Sequence, residues 1–173
     1  MGRKIIFIIL LFLFCAKEKE SSFKFPEDPP DEIINNFSMI ELENEKKLYS
    51  IRSKKAYIYD SKDMLIVFSP FINFYDKNQS LIATVKTDTG IIFQKTGKFH
   101  ARGNVVINTI DNTKLYTDTL LWDNERKLII TDGYVEVYTS TGKITAVGME
   151  SDAFLKKITF KKDIKGETNI VPQ

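Results

Sequence analysis

The pentapeptide Gly103-Asn104-Val105-Val106-Ile107 has a close counterpart 30 residues later in Gly133-Tyr134-Val135-Glu136-Val137. The ten residues 114–123 that follow the first copy are matched in length by residues 143–152 after the second copy. Repeats of this length that contain only strands and tight turns predict stacked units, each of which buries its apolar side against its neighbours.

Apolar residues alternate with polar ones along most of the chain beyond residue 44, as at Tyr49 and Ile51 or at Leu65 and Val67. The alternating positions are rich in β-branched and aromatic side chains, which is typical of strands. Turn-forming pairs such as Asp132-Gly133 separate these runs. About a dozen short strands, and hence an all-β fold, are predicted. Residues 30–45 fit either a helical turn or a first strand.

The amino terminus has the features of an export signal. A basic start is followed by ten uninterrupted apolar residues, 5–14, and then by Cys15. Ten helical residues rise about 15 Å, half of the hydrocarbon thickness that a spanning helix must cross. Residues 1–15 are therefore predicted to be a signal peptide or membrane anchor that ends in a lipidated Cys15. An uncleaved short anchor and an unmodified buried thiol stay open, and all three readings place the folded part outside the cytoplasm.

The rest of the chain divides into a linker and one folded domain. Residues 16–32 are polar and contain Pro26, Pro29 and Pro30, so an extended linker is predicted. Residues 33–173 are predicted to form a single domain, because a chain of 173 residues is short for two full-sized cores.

The composition argues against several classes of function. The chain has 25 lysines and arginines against 23 acidic residues, and this even balance gives no basic stripe for nucleic acid. One histidine and one cysteine leave no disulfide and no cysteine- or histidine-rich metal cluster, so no cofactor is expected. His100 has no cysteine or serine close by in the sequence, and Asp118 and Asp123 flank turns, where carboxylates usually cap the backbone. An enzyme is not predicted.

Four segments resemble the LptC family of the bacterial lipopolysaccharide export machinery. They are residues 101–107 (Ala-Arg-Gly-Asn-Val-Val-Ile), 115–123 (Leu-Tyr-Thr-Asp-Thr-Leu-Leu-Trp-Asp), 133–137, and 142–144 together with 148–152, and the similarity spans roughly residues 50–166. The resemblance implies a half-open β-jellyroll, or β-taco, of two facing antiparallel sheets. It also implies a place at the periplasmic face of the inner membrane, where many family members keep a transmembrane helix instead of a lipoprotein-like cysteine.

An open trough between two sheets would shield the acyl chains of lipopolysaccharide, because each methylene exposed to water costs about 0.8 kcal/mol. Under the LptC resemblance, inward-facing side chains line this groove. The candidates are Ile51, Ile58, Val67, Leu81, Ala83, Val85, Val105, Ile107, Leu115, Val135, Val137, Ile144 and Ala146. The same alternation would fill a closed β core equally well, and a register shift of one residue would exchange the two faces of a strand.

The resemblance also implies partners, since the unpaired edges of a half-open jellyroll can accept a strand from another chain. Residues 33–60 are expected to meet the LptF/LptG-type periplasmic domains of the inner-membrane ABC transporter, and residues 154–171 an LptA-type bridge protein. Lysines in the last segment would alternatively only solvate an edge. The predicted function is transfer of lipopolysaccharide from transporter to bridge; the alternative is an envelope scaffold with a closed β core and no lipid cargo.

Overall fold

The computed structural model describes residues 25–168, which form an all-β fold with one short 3-10 turn, Asp60–Lys62. The strands are β1 (Glu32–Glu43), β2 (Lys46–Tyr59), β3 (Met64–Phe68), β4 (Phe71–Tyr75), β5 (Leu81–Lys86), β6 (Thr89–Phe93), β7 (Lys98–Thr109), β8 (Lys114–Asp123), β9 (Leu128–Thr139), β10 (Gly142–Asp152) and β11 (Ile158–Thr168). The all-β, jellyroll-like prediction is confirmed, and the ambiguous stretch after residue 30 contains a strand.

The strands form one antiparallel sheet that follows the order of the chain. β1 pairs with β2, and β7 to β11 lie side by side in sequence order. Between β2 and β7 the chain makes one long hairpin, whose outgoing arm is β3 and β4 and whose returning arm is β5 and β6. β1 and β11 are therefore the two edge strands of the sheet.

Each long strand is interrupted near its middle, and the interruptions lie next to each other across the sheet. For example, the outgoing arm breaks between Phe68 and Phe71, and the pairing of β7 with β8 shifts between Arg102 and Val105. Bulges and breaks of this kind bend a strand and increase its twist. We call this line the crease. It runs through Asn36, Ser53, Ser69, Asp88, Gly103, Asn104, Asp118, Gly133, Gly148 and Asp163, six of which have φ angles between 47° and 77°.

The crease accounts for the sequence repeat. Gly103, Gly133 and Asp163 are spaced 30 residues apart, and they lie at the bends of β7, β9 and β11. One repeat is therefore one pair of bent strands and the turns that join them. Because each unit pairs only with its neighbours along the sheet, the stacked units predicted from the repeat are successive hairpins of a meander.

Buried hydroxyl groups satisfy the backbone where the crease interrupts the strand ladder. The Ser53 hydroxyl donates to the carbonyl of Phe68 at 2.8 Å and accepts from the amide of the same residue at 3.1 Å. The Thr87 hydroxyl donates to the carbonyl of Arg102 at 2.8 Å, and the Thr117 hydroxyl donates to a carbonyl of β9 at 2.9 Å. Each hydroxyl takes the place of a ladder hydrogen bond, which a buried backbone group would otherwise lack.

The crease divides the sheet into two half-sheets that face each other across the main core. Phe74 and Trp122 lie in different half-sheets, and their ring centroids are 5.4 Å apart, so the two walls touch through side chains. The predicted pair of facing sheets is therefore one continuous sheet folded along the crease. Half-sheet A contains residues 37–52, 71–86, 105–117, 134–147 and 164–168, and half-sheet B contains residues 32–35, 55–68, 89–102, 119–131 and 149–160.

Candidate functional site: the cleft between the half-sheets

Most of the groove residues expected from the sequence lie in the main core between the half-sheets. The members of this group are each at most 3% exposed: Ile51, Val67, Ala83, Val85, Val105, Ile107, Leu115, Val135, Val137 and Ala146. Ile58 is half-buried and packs against them, and Ile144 is half-buried in β10. The structure thus brings eleven of the thirteen together as inward-facing contacts, and their role in contacting lipid stays a prediction.

Leu81 lies apart from the other candidates, because it is 44% exposed. A bulge between Phe74 and Tyr75 pairs Tyr75 with Leu81 and leaves Ile82 as the extra residue of β5. Ile82 packs against the main core in its place. A bulge moves side chains from one face of a strand to the other, and the simple alternation of Leu81, Ala83 and Val85 in the sequence gives no sign of it.

The cleft opens at the side opposite the crease, in a cavity of about 840 Å³ that we call the mouth. Strand ends and turns of both half-sheets form it, and a volume of this size falls in the range of small-molecule sites. Its apolar lining consists of Leu48, Phe74, Ile82, Trp122, Ala153 and Phe154. None of the thirteen predicted groove residues is part of that lining. In the sequence, Trp122 stood out only as part of the segment 115–123 that resembles the LptC family, and Phe154 only as the start of the expected last segment, 154–171. Neither position was predicted to line the groove.

Charged side chains surround the apolar lining of the mouth. Two of its three carboxylates accept hydrogen bonds from backbone amides in turns: Asp76 accepts from the amides of residues 78 and 80, and Asp152 from the amide of Phe154. The third belongs to Glu43, whose Oε1 lies 2.8 Å from Nζ of Lys127 and connects half-sheet A to the β8–β9 turn of half-sheet B. The lysines of the rim are Lys46, Lys47, Lys77 and Lys127.

Trp122 stands in the wall of the mouth with an unpartnered donor. Its side chain is 2% exposed, and its Nε1–H has no hydrogen-bond acceptor among residues 25–168. A buried donor left unsatisfied costs roughly 1–3 kcal/mol. The surroundings are apolar and aromatic, because the ring of Tyr49 lies 5.7 Å from that of Phe74, which in turn contacts Trp122. Burial, together with the negative charge of Glu41, raises the pKa of the Tyr49 hydroxyl to about 12.

A second depression, of about 600 Å³, is lined by residues with polar side chains and lies among Tyr116, Glu136 and Tyr138 in half-sheet A. The hydroxyl of Tyr138 donates to Oε2 of Glu136 at 2.8 Å, and that of Tyr134 donates to Oε1 at 3.0 Å. These bonds and the Lys143 ammonium at 3.1 Å lower the pKa of Glu136. The carboxylate therefore already has three donors, and this depression offers acyl chains no apolar lining comparable to that of the mouth.

Two of the residues considered for catalysis, His100 and Asp123, make contacts that stabilise the fold. The ring of His100 packs edge-on against Phe93 at 5.6 Å, and burial, with nearby positive charges, lowers the pKa of the imidazole. Asp123 accepts from the backbone amide of Arg126, which lowers the pKa of its carboxyl group. Within the described part of the chain, no three His, Cys, Asp or Glu side chains are grouped so that they could hold a metal ion.

Two predictions concern segments at or beyond the amino-terminal limit of the structure: the signal or anchor of residues 1–15 and the linker of residues 16–32. Residues 1–24, Cys15 among them, lie outside the described residues, and both assignments stay predictions. In residues 25–168, the structure has no helix of the length and apolarity that a membrane span requires.

Comparison with known proteins places the chain in a family. A family model described as lipopolysaccharide-assembly, LptC-related, matches residues 5–169. A search of curated proteins found no match. The match covers almost the whole chain, including both half-sheets, the crease and the mouth. The chain therefore belongs to the LptC family of lipopolysaccharide-assembly proteins, a transport family of the bacterial envelope that is not known for enzymatic activity.

Proposed function

We propose that this LptC-family chain, which takes part in lipopolysaccharide transport, carries the acyl chains of lipopolysaccharide in the cleft between its half-sheets. It receives the molecule from the inner-membrane ABC transporter and passes it to the periplasmic bridge. The observation that supports this proposal is the mouth, a cavity of about 840 Å³ whose apolar walls come from both half-sheets. Apolar walls shield methylenes from water, while sugars and phosphates stay outside.

The cleft has to open further to hold several acyl chains, because its interior is filled with closely packed side chains. The crease resists such opening, since the chain passes through it from one half-sheet to the other in every long strand and in both arms of the hairpin. In the pairing of residues 32–168, by contrast, no strand ladder joins the half-sheets at the mouth. Within residues 25–168, side-chain contacts close the mouth, among them the Phe74–Trp122 ring contact and the Glu43–Lys127 ion pair. An entering chain therefore replaces one set of apolar contacts by another.

The two edge strands support the proposed handover. β1 is the edge within residues 33–60, where we place the LptF/LptG-type periplasmic domains of the transporter. β11 is the edge within residues 154–171, where we place an LptA-type bridge protein. Each edge carries a row of backbone groups that can pair with a strand of another chain. Exposed lysines of β11 also protect that edge from unspecific pairing.

The proposed location is the periplasmic face of the inner membrane. A diacylglycerol on Cys15 would hold the domain there, and the polar residues 16–32 would give the domain reach from the bilayer. Mass spectrometry of the mature amino terminus tests this part: a diacylated Cys15 is expected, and an unmodified, uncleaved terminus contradicts it.

The closed-scaffold function is the second candidate, favoured by the dense packing of the ten most buried groove residues. A photo-crosslinkable residue at Ile82, in the mouth, separates the two functions, with Ile110 as the control because it follows β7 at the surface and is 75% exposed. Lipopolysaccharide adducts at Ile82 and few at Ile110 are expected in cells. Equal or absent adducts at both positions, with a correctly folded protein, would support the scaffold instead.

A further inference from the structure

The unpartnered indole of Trp122 is the feature of the mouth that an apolar lining does not explain. A phenylalanine would fill the same wall without placing a donor there. The Nε1–H can only donate, and within residues 25–168 it meets no acceptor. A ligand that brings an acceptor to this depth would satisfy it.

The position of Trp122 restricts what that acceptor can be. The indole belongs to an apolar wall with Phe74 and Leu48, so a fully charged phosphate or carboxylate would lose its hydration there at a high cost. A neutral carbonyl is the acceptor that fits an apolar wall. The lysines of the rim, Lys46 and Lys77 among them, suit a negative charge held farther out.

We propose that the mouth binds the junction of an anionic, acylated lipid, with the amide or ester carbonyl of an acyl chain accepting a hydrogen bond from Nε1–H of Trp122. The hydrocarbon beyond the carbonyl contacts Phe74 and Ile82, and the anionic group lies at the lysine rim. This inference rests on the proposed function, because it assumes that the cleft receives acyl chains. It adds that the mouth recognises the carbonyl group of an acyl chain.

The indole is shielded in the present arrangement, so the ligand reaches it as the mouth widens. Widening separates the Phe74–Trp122 contact and the Glu43–Lys127 pair, whose side chains are both about half exposed. The Nε1–H, without an acceptor in the closed mouth, gains one from the ligand. Binding and opening are therefore coupled, because the ligand interacts more favourably with the open arrangement.

Two matched probes test the carbonyl contact. One is 1-dodecanoyl-glycerol 3-phosphate, and the other is its ether analogue, 1-dodecyl-glycerol 3-phosphate, which lacks only the carbonyl. Titration calorimetry with the full chain is expected to show binding of both, with the acyl probe about tenfold tighter, the effect of one hydrogen bond to a buried donor. Trp122 is the sole tryptophan, so its emission should shift more with the acyl probe.

Variants identify the donor. In Trp122→Phe a smaller aromatic ring replaces the indole and the donor is lost, so the preference for the acyl probe should disappear while the affinity for the ether probe is kept. Tyr138→Phe, which removes a hydroxyl remote from the mouth, should keep the preference. Equal affinities of both probes for the unmodified protein would overturn the inference, and this comparison decides even if Trp122→Phe does not fold. Failure of both probes to bind would instead contradict the proposed function.

Discussion

The crease and the mouth are the two sides of the same cleft, and they are held in different ways. At the crease, the chain itself runs from one half-sheet into the other, and buried hydroxyls such as that of Thr87 donate hydrogen bonds to the backbone carbonyls there. At the mouth, a ring contact and an ion pair between half-exposed side chains are the connections. The two half-sheets are therefore joined by the chain along one side of the cleft and by side-chain contacts along the other, as the proposed entry of acyl chains at the mouth requires.

The largest effect is expected from the packed core beside the crease. Ile107→Ala truncates a side chain that is 0% exposed, three residues after Asn104 in the bend of β7, and should lower the free energy of unfolding by about 2–5 kcal/mol. Ile110→Ala, at a site 75% exposed, is the matched control and should change it by less than about 0.5 kcal/mol. Urea titration measures both. A small loss of unfolding free energy for Ile107→Ala would mean that the core beside the crease is held no more strongly than the mouth.

The bend itself is tested at Gly103. Its φ is +76°, and an added Cβ would lie 2.5 Å from Oδ2 of Asp88. Gly103→Ala should therefore cost about 1–3 kcal/mol, through the left-handed backbone and the displaced carboxylate. Gly166→Ala is the control, since nothing lies within 4 Å of its added Cβ. Equal thermal stabilities of the two variants would contradict the view that the crease needs glycine there.

The aromatic wall near the mouth should give the protein a dependence on alkaline pH. The pKa of Tyr49 is about 12, raised by burial and by Glu41, whereas an unfolded tyrosine titrates near 10. The folded state holds the proton more firmly, so this stability is fully present below about pH 10 and is lost as the pH rises toward 12, by up to about 2 kcal/mol. Urea midpoints between pH 9 and 12 measure the effect. Tyr49→Phe should flatten the curve, and an unchanged slope in this variant would assign the effect to other groups.

The smallest effect on stability is expected from the ion pair at the mouth. This pair nevertheless gives the most direct test of the difference between the crease and the mouth. Lys127→Gln should change the free energy of unfolding by at most about 1 kcal/mol, as for other exposed pairs. It should nevertheless increase acrylamide quenching of Trp122 fluorescence, because one of the contacts that close the mouth is gone. Lys62→Gln removes the exposed pair with Asp28 and should leave quenching unchanged. If both variants behave alike, the Glu43–Lys127 pair does not restrain the mouth.

The sequence predicted the parts of the structure that depend on local pattern. Alternation placed Val105, Ile107 and Val135 on the inward face, and the repeat of Gly103 at Gly133 marked equivalent points of two hairpins. The bulge that exposes Leu81 depends on how two strands pair, which alternation within one strand does not encode.

The mouth depends on contacts between residues that are far apart in the chain. Glu43 ends β1 and Lys127 lies in the β8–β9 turn, and Phe74 and Trp122 come from β4 and β8, two strands that are not paired with each other. Their meeting requires the sheet to fold along the crease, and the sequence motif at residues 103–104 indicated a repeat without showing that it was a bend. The cavity could therefore not be located before the fold was known.

Because every strand has its own bend, the curvature of this protein is a local property of each repeating unit. Inserting another 30-residue unit between existing ones would add two strands to the sheet, so the cleft would become longer while its cross-section stayed the same. The edge strands β1 and β11 would be unchanged by such an insertion. Chains of this design are therefore free to differ in length while they keep the same cross-section at both edge strands.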